Sequence, residues 1–374
     1  MTDNKHIYLC LAKMSDTGAE QRYIQEAFDT NWVAPLGPNV DAFEKDLENY
    51  LNRTEAPLHI AALSSCTAAI HLALLLLGVR GDDEVICQSF SFCASSNPVT
   101  YCGAKPVFVD SEKETWNMSP DLLEAAIKDR IAKTGRKPKA IIVVDLYGMP
   151  ANWRAIEELS IRYGIAVVED AANALGSFYK GRPCGTFGDI ASLSFNGNKI
   201  ITTSGGGALV SKDLETKKRA IFLATQAREN TLHYQHEVIG YNYRMSNISA
   251  GIGRGQMTVL EDHIAHHKHV HGLYKELLGD IVKDNPGKDY DSNFWLTTVN
   301  FKNNIDIPAF CQKLNAAGIE ARQLWKPMHL QPVYKDAPAY TNGVSENLFK
   351  TGICLPSGPW VTDDDVRLIV ETMK

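Results

Sequence analysis

The sequence has no excess of basic charge. Its 374 residues carry 38 Lys and Arg against 44 Asp and Glu, a net charge of -6. Nucleic-acid binders normally show the opposite balance, so that class is excluded and no nucleic-acid partner is expected. None of the eight cysteines (Cys10, Cys66, Cys87, Cys93, Cys102, Cys184, Cys311, Cys354) forms a Cys-x-x-Cys pair. Neither GxGxxG nor GxxxxGK[ST] occurs, which argues against a dinucleotide loop or a nucleoside-triphosphate P-loop. The apolar run within MTDNKHIYLCLAKMS is too short for a signal-peptide core. The dispersed cysteines therefore read as reduced, mostly buried thiols, and a cytoplasmic location is expected. Repeats and low-complexity segments are also lacking.

One stretch, His59 to Val79, has no charged residue apart from two histidines and is long enough to span a bilayer. Ser64, Ser65, Cys66 and Thr67 interrupt it with a turn-like polar patch. The better parse is a strand Ile60–Leu63, a turn, and a helix from Thr67 to Gly78, whose glycine suits a helix C-terminus. No membrane association is expected.

At this length a single core has usually stopped growing, so two domains sharing a cleft are expected, divided as 1–255 and 256–374. In the first, strands at Glu84–Cys87, Pro106–Asp110, Ala140–Asp145, Ile165–Glu169, Ser192–Phe195 and Gly207–Val210 accompany helices at Asp121–Ala132 and Ala155–Tyr163. Alternation of this kind with Val/Ile-rich runs predicts an α/β domain with a largely parallel sheet covered on both faces. Beyond Gln256 the pattern changes. A polar helix Glu261–Leu278, a strand Trp295–Phe301, and helices Ile307–Ala317 and Asp363–Met373 predict a smaller α+β unit.

Candidate site residues follow from this layout. Asp170 ends the buried strand IAVVED, at the carboxyl edge where α/β ligands collect. It is placed either to hold a cationic ring nitrogen or to cap a helix. Lys199, in SFNGNKIITTSGGG, reads in isolation as an exposed loop lysine. Its neighbours change that reading. Ser194 offers a hydroxyl to a phosphate, and Gly205–Gly207 permits close backbone approach to a ligand. Thr67 opens a helix, so the amides of Cys66, Thr67 and Ala68 form an anion site suited to a single monophosphate. Phe90 and Phe92 are positioned to cover a planar ring. Phosphate cup, aromatic lid, acidic partner and lysine are the four parts that a pyridoxal-phosphate site needs.

His263, His267 and His271 are spaced four apart on one helix, a spacing that can hold zinc. No HExxH-type partner accompanies them. They read as the solvated face of an inter-domain helix, and no metal is expected.

In its order of motifs the sequence resembles the DegT/DnrJ/StrS family of sugar-nucleotide aminotransferases over nearly its whole length. The match runs through NWVAPLGPNVDAFE, SSCTAAIHLAL, SFSFCASSNPV, GAKPVFVD, LYGMPA and VVEDAANALGSFYKGRPCGTFGD, then SFNGNKIITTSGGGALV, GYNYRMSNISAGIG, RQLWKPMHLQP and CLPSG. The resemblance implies a fold type I pyridoxal-phosphate transferase, with a mostly parallel seven-stranded sheet in the large domain. It implies that Lys199 is the Schiff-base lysine and that Asp170 pairs with the pyridine nitrogen. Phe92 would stack on the ring, and Cys66, Thr67 and Ser194 would hold the phosphate. Asn242 resembles the asparagine that a neighbouring subunit adds to that phosphate, which implies a homodimer with shared sites. Trp32, Arg228, Arg322, Trp325 and His329 fall in segments resembling substrate-binding regions. Asn173 stands where many relatives have His, Gln or Glu; it can still bond the cofactor's phenolic oxygen, with shorter reach. TQAREN, YNYR and LWKPMH are similar to enzymes that aminate UDP-linked 4-keto-6-deoxy-N-acetylhexosamines, with L-glutamate as the implied donor. Related sugar dehydratases, which use pyridoxamine phosphate, have histidine at the lysine position, so Lys199 implies amination.

Overall fold

The computed structural model describes residues 6–52, 57–302 and 305–374. Its principal sheet has eight strands, in the order His59–Leu63, Gly207–Ser211, Ile190–Ser194, Ala166–Asp170, Ala140–Val144, Glu84–Gln88, Lys105–Val109, Ala339–Tyr340. Seven strands were expected. The eighth is a two-residue strand from the C-terminal part of the chain that pairs parallel with Lys105–Val109. Gly207–Ser211 runs antiparallel to both its neighbours, and the other pairings are parallel. The carboxyl ends at Leu63, Gln88, Val144, Asp170 and Ser194 therefore gather at one edge, together with the start of Gly207–Ser211.

The central strands are mostly apolar because both faces are buried. Ile141 and Val143 face a core with Phe43 and Trp153, while Ala140 and Ile142 face one with Ile70 and Leu72. The long uncharged stretch splits as its polar interruption predicts, into strand His59–Leu63 and helix Cys66–Leu76. Gly78 follows with φ +73°, its amide bonding the Leu75 carbonyl. Local chemistry sets other helix ends too. Pro120–Thr134 begins after Ser119, whose side chain accepts from the Leu122 amide, and stops at left-handed Gly135.

Helix Asn247–Met257 crosses the expected division at 255/256. Beyond it, strands Thr297–Asn300, Gly352–Leu355 and Arg322–Gln323 form a second, antiparallel sheet. Helices Leu260–Leu278, Ile307–Ala316 and Asp363–Met373 bury Val270, Tyr274, Leu314 and Ile369 against its Val299 and Ile353.

The histidine helix corrects an expectation. His263, His267 and His271 are buried, not solvated. Spacing of four puts them on one helix face, and that face packs inward: His263 Nδ1 lies 3.0 Å from the Ile200 carbonyl oxygen, and His271 stacks on Phe294 at 3.6 Å. Burial depresses the imidazoles, His267 to about 3 and His271 to about 4, so both are neutral rings filling the core. Among the described residues, no helix is long and apolar enough to cross a membrane.

Candidate active site

The loops at the carboxyl edge enclose a cavity of about 590 Å³. Seven of the residues expected to bind the cofactor line it: Cys66, Thr67, Phe92, Asp170, Asn173, Ser194 and Lys199. Asp170 does not cap a helix. Its Oδ2 accepts a 2.6 Å bond from the Ser95 hydroxyl, and its Oδ1 accepts the Ala172 amide at 3.1 Å. Burial pushes this carboxyl up; the Ser95 hydroxyl, the Ala172 amide and the Lys199 charge pull it back.

Lys199 lies within the loop that joins strands Ile190–Ser194 and Gly207–Ser211, and its side chain lines the cavity. The amine donates a 2.6 Å bond to Asn173 Oδ1 and lies 4.1 Å from the centroid of the Trp295 ring. Burial lowers it to about 8, against the opposing influence of Cys66, Asp170 and Cys10. An amine poised near neutrality is suited to both nucleophilic and acid–base work.

Helix Cys66–Leu76 starts at the cavity, capped by Ser65, whose Oγ accepts the Ala68 amide at 3.0 Å. The first amides of a helix lack intrahelical partners and favour an anion. Only a glycine fits at 207, since a Cβ there would lie 2.2 Å from the Cys66 nitrogen. The Cys66 thiol is turned toward Asp170 Oδ1, 3.8 Å away.

Phe92 lines the cavity, half of its surface open, with Trp325 5.7 Å away. Phe90 departs from expectation. It is fully buried against Tyr147, because the chain bends after strand Glu84–Gln88, the Ser91 amide bonding the Ser89 carbonyl, so residues two apart no longer share a face as they would in a strand.

The expected substrate residues separate into two groups. Arg322 and Trp325 line the cavity; Arg322 pairs with Glu320, which also accepts the Leu9 amide. Trp32, Arg228 and His329 are not among the lining residues, and neither is Asn242, expected to serve the phosphate of a neighbouring subunit. Arg228 lies over Tyr234, and His329 Nδ1 sits 2.6 Å from Ser89 Oγ. Sequence reasoning missed Ser95, Trp295, Glu320 and Cys10. Ser95 carried a signal, being three residues after Phe92 in the quoted SFSFCASSNPV; the other three carried none.

A buried carboxylate and a half-buried lysine, a capped helix start with a glycine that no other residue can replace, and an exposed aromatic face fit the ring nitrogen, aldehyde, phosphate and ring of pyridoxal phosphate. Residues 15–374 match the model of the DegT/DnrJ/EryC1/StrS aminotransferase family. The chain belongs to this family.

This sugar aminotransferase, with pyridoxal phosphate as its cofactor, is 48% identical to a Bacillus subtilis protein named EpsN, a candidate pyridoxal phosphate-dependent aminotransferase. That match covers 99% of this chain and 95% of EpsN. The aminotransferase is also 35% identical to the GDP-perosamine synthase of Escherichia coli O157:H7, over 98% of both chains. Its fold is similar to that of a candidate sugar aminotransferase from Streptococcus pneumoniae in its PLP form, with a TM-score of 0.89 at 27% identity, covering 99% of this chain and 98% of the other.

Proposed function

We propose that the enzyme transfers an amino group from L-glutamate to the C4 keto carbon of a UDP-linked 4-keto-6-deoxy-N-acetylhexosamine, supplying an amino sugar for glycan or polysaccharide synthesis. The observation that carries the reading is Lys199, a lysine and not a histidine, in one cavity with Asp170. Pyridoxal phosphate, when bound, supplies an electron sink for charge developing on the donor or sugar carbon. Asp170 holds the proton on the ring nitrogen, which keeps that sink effective. Thr67, the Cys66 amide and Ser194 hold the phosphate, and Phe92 covers the ring. Lys199 Nζ takes a proton from the donor α-carbon, and later delivers one to the sugar carbon.

The same cavity, lined also by Arg322, Glu320 and Trp325, has room for a hexose and polar groups for its substituents. UDP and the 4-keto position rest on the likeness of TQAREN, YNYR and LWKPMH to enzymes of that specificity. A homodimer is part of the proposal. Asn242 and Arg228 lie outside their own cavity, and Leu232, Tyr234, Val238 and Ile239 expose apolar side chains on the intervening segment. Such a patch marks an interface, through which Asn242 would reach the partner's phosphate.

The test is a panel of UDP-, dTDP- and GDP-linked 3-keto and 4-keto sugars with glutamate, the product identified by NMR. Amination at C4 of the UDP-N-acetyl substrate is expected. Turnover confined to a 3-keto or GDP-linked sugar would overturn the substrate assignment. Near-normal turnover by Lys199→Ala would overturn the residue roles.

A further inference from the structure

Lys199 and Asn173 stand on loops that follow two adjacent strands, and a third segment ties the loops together. That segment, Ser292 to Leu296, comes from the C-terminal part of the chain and leads into strand Thr297–Asn300. Asn293 is fully buried. Its Nδ2 donates to the carbonyls of Asn173 and Leu175, both at 2.9 Å, and its amide donates to Ser177 Oγ at 2.9 Å. Its Oδ1 accepts the Trp295 amide at 2.8 Å. Trp295 completes the link on the other side, with Nε1 donating to the Asn198 carbonyl at 2.6 Å. Its ring face lies 4.1 Å from Lys199 Nζ.

Each contact constrains a different freedom of the lysine. The Nε1 bond fixes the backbone immediately before Lys199, and the ring face limits where the amine can go. The Asn293 bonds hold the turn that presents Asn173 Oδ1, the amine's hydrogen-bond acceptor. An aromatic face also favours an ammonium over a neutral amine. The packing at Asn293 is tight: a Cβ on Gly148, which has φ +93°, would come 1.9 Å from Asn293 Oδ1.

We propose that Trp295 is a positioning residue for Lys199, with Asn293 as its support, and that its ring face is where the amine rests whenever it is not bound to the cofactor. The inference rests on the assignment of Lys199 as the cofactor-linking amine. The charged and titratable groups facing that amine are Asp170, Cys66 and Cys10; Trp295 adds an uncharged, cation-favouring surface.

The test uses the full chain freed of cofactor, following the rate at which it captures pyridoxal phosphate by visible absorbance across pH. Trp295→Leu removes both the ring face and the Nε1 bond. It is expected to lower the pH midpoint of capture by roughly half a unit, because the ammonium loses its aromatic contact. Trp295→Phe keeps a ring face and loses only the bond to Asn198. It is expected to restore the midpoint, with kcat falling several-fold at unchanged KM for glutamate as the loop loosens. Thermal unfolding confirms that each variant is folded. A wild-type midpoint in folded Trp295→Leu would overturn the proposal. If that variant does not fold, a Trp295→Phe enzyme with unaltered kcat would overturn it. Loss of capture at every pH in Lys199→Ala checks the lysine assignment separately.

Discussion

The Lys199 amine donates a 2.6 Å hydrogen bond to Asn173 Oδ1, which joins the residue most diagnostic of this site to the one where the chain departs from many of its relatives. The short amide at 173 reaches the lysine directly. A carboxylate in the same place would stabilise the ammonium, since an opposite charge within a few ångströms favours the charged form.

Asn173→Asp is therefore expected to raise the pH at which Lys199 becomes a free amine. In the wild-type chain, capture of pyridoxal phosphate should rise with pH through about 8, the position to which burial lowers this amine, and then level off. In the variant the midpoint should move upward by roughly one unit, by the usual size of such pair interactions. Stopped-flow absorbance measures it. An unmoved midpoint would mean that the amine does not sense position 173.

A second expectation concerns the carboxyl groups of Asp145 and Glu169, buried behind Asp170 with their oxygens within 4.8 Å of each other and of the Cys184 sulfur. Glu169 accepts the amides of Gly185, Phe187 and Gly188. Asp145 places only Oδ1 in bonds, to the Ala151 amide and the Trp153 indole. Burial and the neighbouring Glu169 push Asp145 well above the usual carboxylate range, which favours its protonated form. A raised carboxyl pKa gives stability that is full below the ordinary value and lost as pH rises through the raised one. Asp145→Asn mimics the protonated form. At pH 6 the unfolded wild-type chain has ionised this group and the folded chain has not, so the variant should be at least as stable as wild type there and lose less stability as pH rises further. Urea unfolding at pH 6 and pH 9 compares them. A loss of about 3–5 kcal/mol at pH 6, the cost of breaking a buried ionised pair, would contradict it.

Much of this was legible beforehand, for physical reasons that particular residues show. AIIVVD and IAVVE are apolar on both faces, and only a sheet covered on both sides buries such runs. Asp170 ends a strand, and Phe92 and Lys199 stand on the loops that follow strands, so locating the strands located the residues. Ala339–Tyr340 is too short to have a period, and its pairing depends on Lys105–Val109 alone. Trp295 reaches the site from 97 residues beyond Asn198, through a contact that no local pattern encodes. Phe90 and Phe92 looked equivalent in sequence, two apart as on one strand face; the bend at Ser89–Ser91 separated them.

The histidines of helix Leu260–Leu278 were misread because imidazole passes for a polar side chain when only spacing is visible. Buried and neutral, it is an aromatic core residue, and this leads to a third prediction. The ordinary histidine value is 6.5, whereas the folded protein holds His267 near 3 and His271 near 4. Below 6.5 the unfolded chain takes up protons that the folded chain refuses, so stability falls as pH drops from about 6.5 toward about 4. At 1.36 kcal/mol per pH unit, each of the two contributes a loss of about 2 kcal/mol by pH 5. Asp284, 3.7 Å from His271, eases that residue's share. His267, fully buried, is the cleaner probe. His267→Leu should lower stability modestly at pH 7.5 by altering the packing, yet lose less stability than wild type between pH 7.5 and 5, by about 2 kcal/mol. Chemical denaturation at the two pH values gives the difference. Equal acid sensitivity in the two proteins would show that His267 titrates in the folded state as it does in the unfolded chain.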